Sequence, residues 1–381
     1  MEKARGLPLE GITVVAIEQA VAAPFCSARL ADAGAKVVKI ERPEGDFARG
    51  YDDVCAGQSS YFVWLNRGKE SLVVDLASAE GKKTLAGLVA EADVLVQNLK
   101  PGALHRLGFG AEKLRQSHPR LIICSISGYG EEGPLASRKA YDLLVQAESG
   151  LSSITGGPEA PARVGISVVD IATGATAYSA ILEALIARHA TGEGADIRIS
   201  MFDVMADWLT VPLLHHEGGK PPKRIGMAHP SIAPYGVFQT GDGKDILISI
   251  QSDREWAKFC TEFLRQPDKA GDPLFAKNVG RVANRSATDE LVASAFAQLD
   301  EQGAKSLLTK SDVAFASVND MAALSAHPHL RRITVETEAG PVSYPAPAPV
   351  FMGEQRSYGA VPGLGRHESS GTDRKQARVR T

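Results

Sequence analysis

The sequence predicts an α/β fold, with a parallel sheet in a large domain and a smaller α+β domain after it. Three observations predict it. The β-branched apolar segments ITVVAIE and KVVKIE flank a helical stretch, the same alternation continues to about residue 205, and the composition changes after about residue 209. Near-continuous apolar strands that alternate with helices are typical of parallel sheets covered on both faces. The length of 381 residues suits one large domain or two smaller ones.

The first strand, helix and second strand are predicted within residues 11–41. Pro24 lies near the start of the helix, and Gly34 follows its end at the C-terminal cap position. Further elements follow in the same order along the chain. They are a strand at 71–76, a helix from Ser78 to Ala92, strands DVLVQN and LIICSISGYG, helices from Tyr141 to Ser149 and from Asp170 to Ala190, the strand DIRISMF and the helix DVMADWL.

The second half of the chain has a different texture. The segment GGKPPKRIGMAHPSIAPYG is dense in Gly and Pro, as expected of a crossing between domains. Residues 237–330 contain a hairpin signal, VFQTGDGKDILISI, followed by helical segments. From about residue 331 the chain becomes Pro-rich and extended, so we expect it to wrap over the first domain rather than build a central strand.

Charge and cysteine usage exclude several classes of function. Lys and Arg total 42 against 45 Asp and Glu, a net charge of −3, which predicts neither nucleic-acid nor anionic-membrane binding. The short basic tail from Arg374 to Arg380 is interpreted as a solvated end. The N-terminal segment has no secretory signal pattern, no run reaches the ~18 apolar residues of a membrane span, and the four cysteines are unpaired by spacing. We therefore expect a cytoplasmic protein with free thiols, at positions 26, 55, 124 and 260.

The common cofactor motifs are missing. Glu41 ends the second strand, where a dinucleotide-binding fold holds the ribose hydroxyls, but the turn from Glu18 to Pro24 has no glycine. The sequence thus argues against NAD. Neither His215-His216 nor His327-Pro328-His329 has an acid at metal-ligand spacing, so no metal site is predicted. From the residues alone, the prediction is an α/β enzyme with a ligand other than a dinucleotide at the strand ends.

Five ordered segments of the chain resemble family III CoA-transferases, the CaiB/BaiF type. The resemblance extends from about residue 9 to 260, and weakly to the end. The segments are GITVVAIE to KIERPEGD (11–46), NRGKESLVVDL (66–76), DVLVQNLKPGALHRLGFG (93–110), ISGYGEEGPLASRKAYDLLVQAESG (126–150) and VVDIATGATAYSAILEALIAR (168–188).

The resemblance implies a Rossmann-like large domain, built from residues 1–205 and 330–381, and a small domain at 225–325 joined through a linker at 206–224. Family members form interlocked dimers in which each chain threads through the ring of the other. We therefore expect a homodimer.

The family's chemistry implies that Asp170 is the nucleophile, passing through an aspartyl anhydride and an aspartyl-CoA thioester. A purely structural interpretation is that Asp170 only caps the helix that follows it. CoA esters would be substrates, with no permanently bound cofactor. The CoA-binding positions carried over from the family are Ala22, Arg42, Val74, Asn98, Leu99, Arg106, Lys139 and Tyr141.

The sequence departs from the family pattern at two places. Val21 stands where formyl-CoA transferases carry glutamine, and QSDREW replaces a glycine-rich loop after the segment ILISI. Both departures argue against an oxalate/formate substrate pair. CoA-ester racemases of the same fold place a histidine at the position of Tyr141, and a tyrosine is a poor base at neutral pH, so transfer is favoured over racemisation.

The sequence as a whole, including RIGMAHPSIAPYGVF (224–238), resembles family members that act on C4 and C5 dicarboxylates, such as succinate, itaconate or mesaconate. Intramolecular transfer between the two carboxyls of one diacid is the alternative. A second carboxylate would need a cation to bind it. The candidates are Arg49, Arg67, Arg224 and His229.

Overall fold

The computed structural model describes residues 6–367, so the predicted basic tail from Arg374 to Arg380 lies outside the described residues. The chain divides into two compact units. Unit 1 comprises residues 6–151, 164–210 and 331–367, and unit 2 comprises residues 152–163 and 211–330.

The first half of the chain alternates strands and helices, as the sequence predicts. In chain order the elements are β1 (Thr13–Ile17), α1 (Ala22–Asp32), β2 (Lys36–Glu41), α2 (Ser60–Asn66), β3 (Lys69–Val73), α3 (Ala79–Glu91), β4 (Val94–Gln97), α4 (Ala103–Arg106), α5 (Ala111–Ser117), β5 (Ile122–Ser127), α6 (Asp142–Glu148), α7 (Leu151–Ile154), α8 (Val168–Thr191), β6 (Asp196–Ser200) and α9 (Met201–Trp208).

The remaining elements follow a pattern that changes as expected after α9. They are α10 (Thr210–Glu217), β7 (Tyr235–Gln239), β8 (Asp245–Ser249), α11 (Asp253–Glu262), α12 (Asn278–Ala283), α13 (Arg285–Phe296), α14 (Glu301–Lys310), β9 (Ala314–Ser317), α15 (Met321–Ser325), β10 (Arg332–Val335) and β11 (Val342–Pro345). The stretch at 206–224, expected as a linker, thus holds the end of α9 and all of α10.

Unit 1 is built on a six-stranded sheet in the order β3-β2-β1-β4-β5-β6, and all neighbouring strands are parallel. The prediction of a parallel sheet is therefore confirmed. The strand order reverses between β1 and β4, where Val15 pairs with both Val38 of β2 and Leu95 of β4. In open α/β sheets, ligands bind at the carboxyl ends of the strands at such a switch point.

Helix α8 is the central helix of unit 1. Among the described residues, it is long and apolar enough by composition to cross a membrane. However, Val169, Ala172, Ala177 and Ile181 are fully buried in the same core cluster as residues of α1 and of strands β1, β4 and β5. Its apolar composition is thus accounted for by burial inside the unit.

The C-terminal segment of the described chain returns to the first domain. Hairpin β10–β11 is antiparallel, and Val335 and Val361 pack with Phe62 and Val63 of α2. The backbone N–H of Gly68, just before β3, donates to the carbonyl of Ala360 at 2.8 Å. This segment covers the β3 side of unit 1, consistent with the expectation from its Pro-rich composition.

Unit 2 contains a three-stranded antiparallel sheet in the order β7-β8-β9. The β7–β8 hairpin pairs Gln239 with Asp245, so the predicted hairpin is confirmed. Aromatic side chains dominate the core of this unit, including Trp256, Phe259 and Phe296.

Candidate active site

The carboxyl ends of β1 and β4 meet at the switch point of the sheet in unit 1. The side chain of Asn98, just after β4, accepts from Gln19 N at 3.0 Å and donates to Gln19 O at 2.8 Å. A cavity of about 260 Å³ opens at this edge. Three of the residues predicted to bind CoA line it, namely Arg42, Val74 and Leu99.

The turn after β1 is held in an uncommon backbone conformation. Ala20 has φ 64°, in the left-handed region that side chains other than glycine seldom adopt. The carboxylate of Asp46 accepts from Ala20 N at 3.1 Å and from Ala48 N at 2.9 Å. One buried acid therefore fixes both the turn after β1 and the loop after β2.

Behind this turn lies a group of four fully buried charged side chains, which we call the buried charged cluster: Glu18, Lys39, Asp46 and Lys69. Glu18 Oε1 is 2.7 Å from Lys69 Nζ, and Lys39 Nζ is 2.8 Å from Asp46 Oδ2. Ser27 Oγ donates to Glu18 Oε2 at 2.6 Å. Two acids and two lysines balance each other, as buried charges must.

Burial and pairing compete in the pKa values of this cluster. Burial alone would raise the pKa of Glu18, but Lys69 and Lys39 bring that pKa below its usual value. Burial lowers the pKa of Lys69 to about 8, in spite of the neighbouring Glu18. The pKa of Lys39 is shifted in the opposite direction. Burial would lower it, but the charges of Glu18 and Asp46 raise the pKa of Lys39 above its usual value.

Asp170 lies in the first turn of α8, but it does not cap the helix. The acceptor at the N-terminus of α8 is Asp142 Oδ1, which accepts hydrogen bonds from Val169 N at 2.8 Å and from Asp170 N at 3.2 Å. Within residues 6–367, no hydrogen bond or ion pair reaches the half-buried carboxylate of Asp170. Burial, and after it the charge of Asp142, raise the pKa of Asp170 to about 7. A carboxylate without a partner and with a raised pKa is typical of a reactive group rather than a structural one.

Two tyrosines face the same region. Burial first, and then the charges of Asp46 and Asp170, raise the pKa of Tyr51 to about 12, so its phenol keeps its proton at neutral pH. Tyr141, the residue before α6, also acts on this pKa, so it lies near Tyr51. Tyr51 is 46% exposed and Tyr141 is 57% exposed. Large aromatic side chains with this exposure beside a partnerless carboxylate are suited to contact a bound ligand.

Helices α1 and α8 approach closely near Asp170. A Cβ on Gly174 would come within 2.4 Å of the carbonyl oxygen of Ala22 and 2.9 Å of Phe25 Cβ. Gly174 is therefore required where the two helices touch. Because Asp170 precedes Gly174 by four residues, both lie on the face of α8 that is turned toward α1. The predicted residue Ala22 is thus placed next to the turn that carries Asp170.

The other predicted cations of unit 1 fall into two groups. Arg106 and Lys139 are exposed, and no contact in the described chain joins either of them to the cavity at the switch point. Arg49 and Arg67 instead form internal ion pairs. Arg49 Nε donates to Glu41 at 2.8 Å, and Arg67 Nε donates to Asp32 at 2.8 Å. Both guanidiniums are therefore engaged by carboxylates of this chain.

The two remaining substrate candidates lie in unit 2. Arg224 donates to the carbonyl oxygens of Ser153, Gly157 and Pro158. The ring of His229 stacks on Tyr235, with centroids 5.2 Å apart. These contacts order the loop before β7.

Sequence reasoning missed Asp142, Tyr51 and the buried charged cluster. Lys39 offered a signal, because a lysine inside the apolar strand KVVKIE must find a buried acid. Asp142 offered none, since the two N–H groups of α8 that it accepts lie 27 and 28 residues further along the chain.

With this geometry established, comparison with known proteins identifies the family. The sequence model of CoA-transferase family III matches residues 9–368. The chain belongs to CoA-transferase family III. The resemblance stated from the five segments is thereby confirmed, and the protein is an enzyme of the CoA-transferase type.

Three relatives illustrate the similarity of this CoA-transferase. It is 37% identical over 342 residues to the acetyl-CoA:oxalate CoA-transferase of Acetobacter aceti, covering 89% of this chain and 87% of the relative. It is 34% identical over 378 residues to the succinate–glutarate CoA-transferase of Agrobacterium fabrum, covering 95% and 94%. The crystal structure of a CAIB/BAIF family protein from Brucella suis matches with a TM-score of 0.81 at 35% identity, covering 95% of this chain and 98% of that one.

Proposed function

We propose that this enzyme moves CoA between an acyl-CoA and a C4 or C5 dicarboxylate, such as itaconate or mesaconate, with Asp170 as the nucleophile. The observation that supports the nucleophile is the Asp170 carboxylate, which lacks a partner within the described residues and whose pKa is raised to about 7. Its high pKa makes the ionised carboxylate more nucleophilic than an ordinary aspartate.

The reaction balances in two exchanges. An Asp170 oxygen bonds to the thioester carbonyl carbon, the C–S bond breaks, and its electron pair leaves as CoA thiolate. The thiolate then attacks the aspartyl carbonyl of the anhydride and releases the first carboxylate, which leaves an aspartyl-CoA thioester. An incoming carboxylate repeats the two steps in reverse order and carries CoA away. The thioester bond is conserved, provided that water is excluded.

The relatives support a dicarboxylate on one side of the reaction, because the names of two of them contain succinate, glutarate or oxalate. Val21 and the segment QSDREW argue against an oxalate/formate pair, whereas the relative from Acetobacter aceti keeps oxalate among the acids to be tested. Transfer between the two carboxyls of one diacid uses the same nucleophile and remains the alternative. The interlocked homodimer stays a prediction.

An acceptor assay tests the substrate class. We expect the enzyme, given succinyl-CoA and itaconate, mesaconate, glutarate or oxalate in turn, to form a new CoA ester with at least one C4 or C5 diacid, identified by mass. Propionate serves as the monocarboxylate control. A mono-CoA ester of an unsymmetrical diacid, incubated without free acid, reports intramolecular transfer by appearance of the isomeric ester. Turnover of propionate with none of the diacids would refute the dicarboxylate assignment.

Arg106→Ala tests the proposed contact with the CoA phosphates. Arginine donates two parallel hydrogen bonds to a phosphate, so its loss should remove about 1.5–3 kcal/mol of binding. We expect the KM for succinyl-CoA to rise about 10- to 150-fold with little change in kcat. Arg115→Ala, an exposed arginine in the last turn of α5, is the matched control. An unchanged KM in Arg106→Ala would show that this residue does not hold CoA.

A further inference from the structure

The first turn of α8 is fixed by a residue from another helix. Asp142 is the first residue of α6, and its buried carboxylate accepts the N–H groups of Val169 and Asp170 at 2.8 and 3.2 Å. Ser167, at the N-cap position of α8, makes no side-chain cap bond. Asp142 therefore takes the role that an N-cap side chain of α8 itself would otherwise have.

Asp142 is in turn held by a fully buried glutamine. Gln146 Nε2 donates to Asp142 Oδ2 at 2.6 Å, and Gln146 Oε1 accepts from Val164 N at 2.9 Å. The two side chains thus tie α6 to both ends of the segment 164–170. Within residues 6–367, no cation is paired with Asp142. The carboxylate therefore places a negative charge next to Asp170 that is hydrogen-bonded but has no ion-pair partner in the described chain.

In this arrangement the N-terminus of α8 does not stabilise a negative charge on Asp170. A helix N-terminus normally favours an anion through its free N–H groups. Here Asp142 occupies the N–H groups of both Val169 and Asp170. The carboxylate of ionised Asp170 is therefore repelled by the nearby charge of Asp142 and gains no hydrogen bond from these two N–H groups.

We propose that Asp142 is a positioning residue for CoA transfer, which fixes the backbone of the Asp170 turn and favours the neutral, acylated Asp170 over the free carboxylate. This inference rests on the proposed role of Asp170 as the nucleophile. Acylation moves the negative charge from the aspartate oxygen to the leaving CoA thiolate, and so relieves the repulsion from Asp142. The same repulsion disfavours return to the free carboxylate, which keeps the aspartyl-CoA populated until an acceptor arrives.

The groups that face Asp170 from neighbouring elements support this view. Asp142 on α6 and the neutral phenol of Tyr51 interact electrostatically with it, and Tyr141 lies near Tyr51. Helix α1 presents uncharged groups at Gly174, namely Ala22 and Phe25. Burial and Asp142 together raise the pKa of Asp170 to about 7. Asp142 is thus the charge whose removal should be felt most by Asp170.

The test is a double variant, Asp142→Asn with Gln146→Glu, that moves the charge, keeps the hydrogen bonds to the Asp170 turn, and loses only the 3.4 Å bond from Gln146 Nε2 to Ile166 O. The amide oxygen introduced at position 142 can still accept from Val169 N and Asp170 N. The amide nitrogen at the same position can donate to the carboxylate introduced at position 146, and that carboxylate can accept from Val164 N. The negative charge moves from the group that accepts from Asp170 N to the neighbouring group at position 146, whose Nε2 in the wild type lies 2.6 Å from Asp142 Oδ2 and whose Oε1 accepts from Val164 N. Asp300→Asn is the matched control, because Asp300 caps α14 in unit 2 through Gly303 N.

Two readouts are needed. Infrared difference spectra between each protein and its Asp170→Asn derivative give the pKa of Asp170, which we expect to fall by about one unit in the double variant. The ratio of enzyme with an adduct on the Asp170 peptide to free enzyme, measured at about pH 9, where Asp170 is ionised in both proteins, and at a fixed ratio of succinyl-CoA to succinate, should fall about tenfold in the double variant. The thermal midpoint should stay close to that of the wild type. Asp300→Asn should change neither of the two readouts.

The outcomes separate the two proposals. An unchanged pKa together with an unchanged adduct ratio in a folded double variant would overturn the role of Asp142. If the double variant does not fold, Asp142→Ser takes its place, because serine keeps a hydrogen-bond acceptor without a charge. An unchanged pKa of Asp170 together with an unchanged adduct ratio in Asp142→Ser would then overturn the role of Asp142. Absence of any adduct on Asp170 in the wild type, with the pKa shift intact, would instead refute the nucleophile and leave the coupling between the two acids standing.

Discussion

Replacing Asp170 with asparagine should lower kcat for CoA transfer about a thousandfold or more. The amide has nearly the same shape as the carboxylate, but it is a far weaker nucleophile and cannot form the anhydride. Transfer should be followed by the exchange of labelled succinate into succinyl-CoA. Incubation of the wild type with succinyl-CoA and hydroxylamine should convert the Asp170 carboxyl to a hydroxamate, found on the peptide that includes residues 168–173.

The structure sharpens this experiment, because it separates catalysis from capping. If Asp170 were an N-cap, its replacement would cost about 0.5–2 kcal/mol of stability. The cap bonds to α8 instead come from Asp142, so the thermal midpoint of Asp170→Asn should stay close to that of the wild type. Asp203→Asn, an exposed acid in the first turn of α9, is the matched control and should turn over normally. Substantial exchange by Asp170→Asn would rule out the aspartyl mechanism within the same fold.

The predictability of the fold follows from local pattern. The apolar segments ITVVAIE, KVVKIE and DVLVQN are too continuous for solvent-facing strands, and they became β1, β2 and β4 of the parallel sheet. Ser78 was predicted to open a helix, and its hydroxyl accepts from Gly81 N at 2.9 Å at the start of α3. Caps and apolar runs are encoded by neighbours in the sequence, so they can be read from it directly.

The features that the sequence did not predict depend on distant partners. Helix α2 is formed by the aromatic-rich segment SYFVWLN, and two of its side chains are buried against β10 and the C-terminal segment. Arg49 and Arg67 were named as candidate cations for a substrate carboxylate, and the sequence did not show that Glu41 and Asp32 pair with them. The cap on α8 likewise comes from 28 residues earlier in the chain. Such pairings are set by tertiary packing, which spacing does not encode.

The buried charged cluster carries the second large prediction, which concerns stability. Glu18→Gln keeps the shape of the side chain but leaves Lys39 and Lys69 to be balanced by Asp46 alone. Breaking a buried ion pair by removing one partner costs about 3–5 kcal/mol, because the remaining charge is left without compensation. We expect a loss of this size in the free energy of unfolding in urea at pH 7.

The loss should shrink as the pH rises, because Lys69 can give up its proton. Its pKa in the folded wild type is already lowered to about 8, and the loss of Glu18 lowers it further. An unfolded lysine keeps its proton until about pH 10.4. Between the folded and unfolded pKa values the unfolded state binds more protons, so stability rises with pH across that window. In Glu18→Gln the stability begins to rise with pH below pH 8, earlier than in the wild type. The difference in unfolding free energy between the two proteins should therefore narrow between about pH 6 and pH 9.

The control is Glu18→Gln combined with Lys69→Met, which restores the charge balance. The loss of stability in this double variant should be smaller than the sum of the two single losses, and it should not narrow with pH. A loss below about 1 kcal/mol that does not change with pH would show that Glu18 does not compensate the two lysines.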